Sequence, residues 1–166
     1  MRSPRPVLIA LGLAVFGLIL QATLFRRFTW LVPDLVVLVV ILATLSLRAE
    51  VALVIGFLAG ALFDVSLASS VLGLRALVYT VVAYVAVRTR QRADSGPLAV
   101  GIWAGFLSLI SVALVVVVGV LFGQSAELGD AMLRRFIEVP ITNAVCAALL
   151  AIPVTRLMQT GGRRAS

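Results

Sequence analysis

Asp64 and Arg75 are the residues whose types and spacing first suggest chemistry. They lie eleven positions apart, across the small polar stretch Val65-Ser66-Leu67-Ala68-Ser69-Ser70. A carboxylate and a guanidinium brought together at membrane depth lower the cost of holding either charge there. Gly56, Gly60 and Asp64 are spaced i, i+4, i+8, so they share one helical face. Gly56-Phe57-Leu58-Ala59-Gly60 is a GxxxG pattern, which lets another helix approach closely. That face reads in two ways: a groove for a partner helix ending in a carboxylate, or internal packing within the bundle. The pattern recurs at Gly101–Gly105 and Gly119–Gly123, so it is not specific. Asp34, in Pro33-Asp34-Leu35, is either a helix-start residue or a partner contact. Pro33 suits the first helical turn beside it. Asp130, Arg134 and Glu138 repeat the i, i+4, i+8 spacing as a charge ladder that neutralises Glu138 where the last apolar run begins. A role for Glu138 in proton transfer is the sharper alternative. Gln21, Thr142 and Asn143 are candidate interhelical hydrogen bonders, and Tyr79, Tyr84 and Trp103 read as packing or interfacial aromatics.

The familiar catalytic and metal designs lack their parts. Histidine is absent and Cys146 is the single cysteine, so there is no Ser-His-Asp triad, His-metal site or disulfide framework. No acid–base pair stands beside a recognisable nucleophile. The reading is therefore no enzyme, no metal and no cofactor.

Composition says what must position these groups. Of 166 residues, 62% are hydrophobic and 13% charged, against roughly 25% charged in a soluble domain. Mean hydropathy is +1.17. The chain reads as one all-α membrane domain over 1–166. Its fourteen basic residues are all arginine and exceed seven acidic ones, for a net charge of +7. The arginines punctuate apolar runs, which points to loops that fix membrane orientation and away from nucleic acid.

Crossing a bilayer takes roughly 20 apolar residues. Six spans are expected, at about 7–25, 30–47, 51–66, 71–87, 98–122 and 136–157. The first is too long for an apolar signal core and reads as retained. The third is short, with only thirteen apolar residues before Asp64. Residues 51–88 therefore read as two short helices joined by a turn sheltered by protein, or as one irregular unit in a five-span protein. Pro140 is tolerable if the last helix starts there, and Pro153 predicts a kink. With the N-terminus in the cytoplasm, nine arginines fall inside and five outside, so both termini are expected to be cytoplasmic.

Pro33-Asp34-Leu35, then Gly56-Phe57-Leu58-Ala59-Gly60-Ala61-Leu62-Phe63-Asp64, then Leu72-Gly73-Leu74-Arg75-Ala76-Leu77-Val78-Tyr79 with Tyr84, resemble the MreD family of bacterial rod-shape-determining membrane proteins. Leu18-Ile19-Leu20-Gln21 resembles the end of that family's first span. The specific likeness covers 18–88; beyond 98 it rests on hydropathy. The resemblance implies a non-enzymatic inner-membrane scaffold or regulator of cell elongation and peptidoglycan synthesis. It implies an MreC-like bitopic partner and links to MreB, RodA and a class B transpeptidase. It also implies a six-helix fold similar to the substrate-binding subunits of energy-coupling-factor transporters. A small-molecule-binding subunit of a vitamin-type transporter is the alternative, and a central pocket with convergent polar groups would favour it.

Overall fold

The computed structural model describes residues 5–23, 33–66, 72–93, 95–123 and 130–160. Six α-helices account for nearly all of them: α1 (Arg5–Thr23), α2 (Leu35–Ser46), α3 (Ala49–Ser66), α4 (Leu74–Thr89), α5 (Pro97–Leu121) and α6 (Asp130–Thr160). A 3₁₀ turn, Arg90–Ala93, follows α4 directly. No strand occurs among the described residues.

The helices form two tight pairs, α3 with α4 and α5 with α6, around α2, which touches all five others. The sequence of α2 explains its place. It is apolar on every side, and from Val36 to Thr44 every residue but Val39 is buried. A helix with no polar stripe belongs inside protein or lipid. Here Val36, Val37, Leu38, Val40 and Ile41 pack with Tyr79, Val82, Trp103 and Leu107 in one core.

Small residues bring each pair together. A Cβ added at Gly56 would lie 2.8 Å from the Tyr79 carbonyl oxygen, and one at Gly60 would lie 2.5 Å from Ala76 Cα. In the second pair, a Cβ at Gly101 would lie 2.8 Å from the Ala144 carbonyl oxygen. One at Gly105 would lie 3.0 Å from Ala144 Cβ and from the Pro140 carbonyl oxygen. The close approach that GxxxG permits is thus used inside the chain, between sequential helices.

Three helices are long and apolar enough to cross a membrane: Ala49–Ser66, Pro97–Leu121 and Met132–Val154. Val7–Thr23 and Leu35–Ser46 are shorter apolar helices. Six helices are present where six spans were expected, but among the described residues only three are long and apolar enough to cross by themselves. The 12 residues of α2 rise roughly 18 Å, well short of a hydrocarbon core of about 30 Å.

Helix boundaries depart from the sequence reading in physically simple ways. Pro33 lies before α2 and not in its first turn, because Asp34 takes the N-cap. α3 starts two residues before the expected 51–66 span and ends with it at Ser66, running past Asp64 because the next helix satisfies that carboxylate. The turn expected at 67–71 lies outside the described residues. α6 begins at Asp130, ten residues before Pro140, so both Pro140 and Pro153 are internal to it.

Candidate functional site

A cluster of sheltered polar side chains gathers at one end of the bundle, where α2 and α4 begin and α3 ends. Asp34 starts this arrangement. As N-cap of α2, its Oδ1 accepts the Val37 backbone N–H at 3.2 Å, filling one of the donors that every helix start leaves open.

Asp64 does the same for a different helix. It is 2% exposed. Its Oδ2 accepts the backbone N–H groups of Gly73 at 3.0 Å, Arg75 at 3.0 Å and Ala76 at 3.2 Å, and its Oδ1 accepts Arg75 N–H at 3.2 Å. A carboxylate at the positive end of a helix dipole is favourable, and charge-assisted bonds of this kind are strong. Gly73 makes the geometry possible: its φ of +94° is a conformation that side chains rarely adopt. Gly60 contributes as well. It sits one turn before Asp64, where a Cβ would strike the Arg75 carbonyl, and the backbones could then not come close enough for the carboxylate to reach across.

Asp64 and Arg75, expected to form an ion pair, do meet: Asp64 takes the Arg75 backbone N–H, and the guanidinium forms an ion pair with Asp34. Arg75 Nη1 lies 3.7 Å from Asp34 Oδ2 and donates to Tyr79 Oη at 3.3 Å. Tyr79 O–H in turn donates to the Asp34 carboxylate, at 3.0 Å from Oδ2 and 3.2 Å from Oδ1. The Phe63 ring covers the guanidinium, with Cζ 4.2 Å from the ring centroid. That cation–π contact adds to the shelter of a charge held away from water. Arg75 and Asp34 keep side-chain exposures of 17% and 14%.

The arrangement extends to the second helix pair through Asn143, which is fully buried on α6. Its Nδ2 donates to Ser108 Oγ on α5 at 2.9 Å and to the Asp34 backbone carbonyl at 3.2 Å. Its Oδ1 is buried without a hydrogen-bond partner among the described residues. Asn143 is thus the interhelical hydrogen bonder its residue type suggested, but Thr142 bonds back to the Glu138 and Val139 carbonyls of its own helix. Glu138 is half-buried on α6, and the Asp130 end of its expected ladder lies outside the described side chains.

Two contributors escaped the sequence reading. Tyr79 looked like a packing aromatic, yet it bridges the two charges. Ser108 carried no signal beyond being a hydroxyl in an apolar run. The i+4 step from Arg75 to Tyr79 is the one sign that could have found the tyrosine. Gly56 and Gly60, read as either a partner groove or internal packing, face α4 of the same chain, so a partner helix seated there would have to displace α4.

Chemically, this cluster is a tie. One carboxylate caps its own helix and holds a cation, the other caps a neighbouring helix, and an amide links them to the remaining pair. Among the described residues, no group of three or more metal-ligating side chains comes together. Such a bundle, with apolar helices suited to a membrane and two of its carboxylates spent on helix starts, defines an all-helical protein of membrane type. A family model described as rod shape-determining protein MreD matches residues 1–160, and the chain belongs to the MreD family, a membrane protein family with a role in rod shape determination. No curated protein and no solved structure gives a significant match.

Proposed function

We infer that this chain is a multi-pass, non-enzymatic scaffold of the bacterial elongation machinery, with both termini in the cytoplasm, and that it works by pairing with an MreC-like bitopic partner. One observation supports the non-enzymatic part: Asp34 and Asp64, the carboxylates of the polar cluster, are engaged in structural bonds. Asp34 is held by Val37, Tyr79 and Arg75, and Asp64 by the start of α4. A general acid or base needs a proton to exchange with substrate, and these carboxylates are committed to helix ends. Family membership supports the connection to rod shape. The nine-to-five arginine split supports the orientation.

The test is recovery of the partner together with cell shape. Affinity-tagged chain extracted in mild detergent is expected to bring down a bitopic MreC-like protein, and cells lacking the chain should round up. Rod shape maintained by a variant that no longer recovers that partner would contradict the scaffold reading. For orientation, cysteine placed at Ser125 should react with an impermeant thiol reagent in intact cells, and cysteine at Asp94 should not.

A further inference from the structure

The end of the bundle opposite the polar tie carries a different surface. Arg48, Arg88, Arg90 and Arg92 are all exposed there. They come from two junctions, α2 to α3 and α4 to the 3₁₀ turn, which meet where Arg90 Nη1 donates to the Leu47 carbonyl at 3.5 Å. Glu50 is the described acidic residue among them, and it lies in the first turn of α3, where the helix dipole favours a carboxylate. Asp94, outside the described residues, follows in sequence. Four arginines against these two acids leave a net charge of +2 over the two junctions.

The second observation is how α4 leads into this patch. Leu77, Val81 and Tyr84 are exposed in succession on one face, and Arg88 continues it. The Arg88 guanidinium lies over the Tyr84 ring, with Cζ 5.3 Å from the centroid. Within a few turns the stripe passes from aliphatic to aromatic to cationic. That is the polarity profile of a bilayer from acyl chain to headgroup, and tyrosine at such a height marks the interface. A guanidinium presents paired donors matched to a phosphate, and one stacked on an aromatic ring is already oriented.

We propose that this end of the protein binds the phosphodiester headgroup of an anionic phospholipid. Arg88 and Arg92 take the phosphate, Arg48 and Arg90 add positive field, and the acyl chain lies along Tyr84, Val81 and Leu77. A lipid with two phosphates is held more tightly than one with a single phosphate, because the arginines come from two adjacent junctions. The ligand is an amphiphile and not free phosphate, since half of the surface that meets it is apolar.

The test is native mass spectrometry of the full-length chain in detergent micelles, with cardiolipin, phosphatidylglycerol, phosphatidylcholine or inorganic phosphate added separately. Cardiolipin adducts should dominate, with phosphatidylglycerol weaker and the other two near background. A basic residue close to an anionic surface contributes about fivefold in affinity, so Arg88→Gln with Arg92→Gln should weaken cardiolipin retention roughly 30-fold. Arg134→Gln with Arg135→Gln, an equal loss of charge on α6 near the other end, should leave it within about twofold. In wild-type protein, retention should fall as salt rises to about 0.5 M, where screening shortens the reach of surface charges. This measurement stands even if a variant does not fold. Equal retention of phosphatidylcholine, equal binding of free phosphate, salt-independent retention, or equal losses from the two double variants would each overturn the proposal.

Discussion

The α3–α4 and α5–α6 pairs use the same device and lock it differently. Each places two glycines four residues apart against the small residues of the next helix. In α3–α4 the lock is ionic, with Asp64 accepting three backbone N–H groups at the start of α4. In α5–α6 it is neutral, with Asn143 donating to Ser108. The first glycine of each pair comes equally close, 2.8 Å from a carbonyl oxygen, but at the second the approach is closer in α3–α4: a Cβ at Gly60 would lie 2.5 Å from backbone carbon, whereas one at Gly105 would lie 3.0 Å from a side-chain carbon and a carbonyl oxygen. The difference is instructive. A carboxylate buried in an apolar bundle is tolerable only when donors surround it, and the donors are backbone groups of another helix. Gly60 and Asp64 therefore act as one element, the glycine admitting the helix that the carboxylate then caps. A neutral amide makes a weaker demand, and the second pair has more freedom.

The sharpest way to break this contrast is to fill the two glycines. Gly60→Ala should cost about 3 kcal/mol or more, since backbone must move. Gly105→Ala should cost about 1 kcal/mol, because contacts at 3.0 Å need α6 to give by only a few tenths of an ångström. Thermal unfolding in detergent with a count of membrane-inserted protein reads both. Gly60→Leu is expected to be degraded, so loss of a partner would follow from loss of the fold. Gly60→Ala melting like wild type would show that the approach is not tight.

Next in size is Arg75→Gln, which leaves Asp34 without its cation. Breaking one partner of a buried pair typically costs about 3–5 kcal/mol, and the residual exposure of this pair places it below that range, at about 2–3 kcal/mol. Asp64→Asn should cost about 1–2 kcal/mol, because an amide keeps one acceptor oxygen for the α4 start and loses the charge. Hydrogen exchange should report that loss first at residues 74–76. Uniform loss of protection across all helices would argue against a local cap. The smallest effect is expected at Asn143→Leu, within about 1 kcal/mol: the bonds to Ser108 and the Asp34 carbonyl are lost, but so is a buried acceptor with no partner among the described residues.

Much of this organisation was legible in the sequence. Helix number, the Asp34 helix start, the nearness of Asp64 to Arg75, and an interhelical role for Asn143 all follow from spacing and residue type. What was not legible has a common cause. In lipid the outside of a helix is as apolar as the inside, so sequence does not reveal which face meets protein. That hid the burial of α2 on all sides and left the Gly56–Gly60 face open between partner and neighbour. It also left Arg75 with two candidate carboxylates. Asp64 is closer in sequence, but the α4 N–H groups occupy it, and the long arginine side chain reaches Asp34, forty-one residues earlier.

The central claim is that Asp34 and Arg75 act as one unit tying the starts of α2 and α4 together. A double-mutant cycle on thermal unfolding, with Asp34→Asn, Arg75→Gln and both together, tests it most directly. Coupling of about 1–3 kcal/mol is expected, with the double variant more stable than the sum of the single losses. Losses that add within about 0.5 kcal/mol would contradict the account.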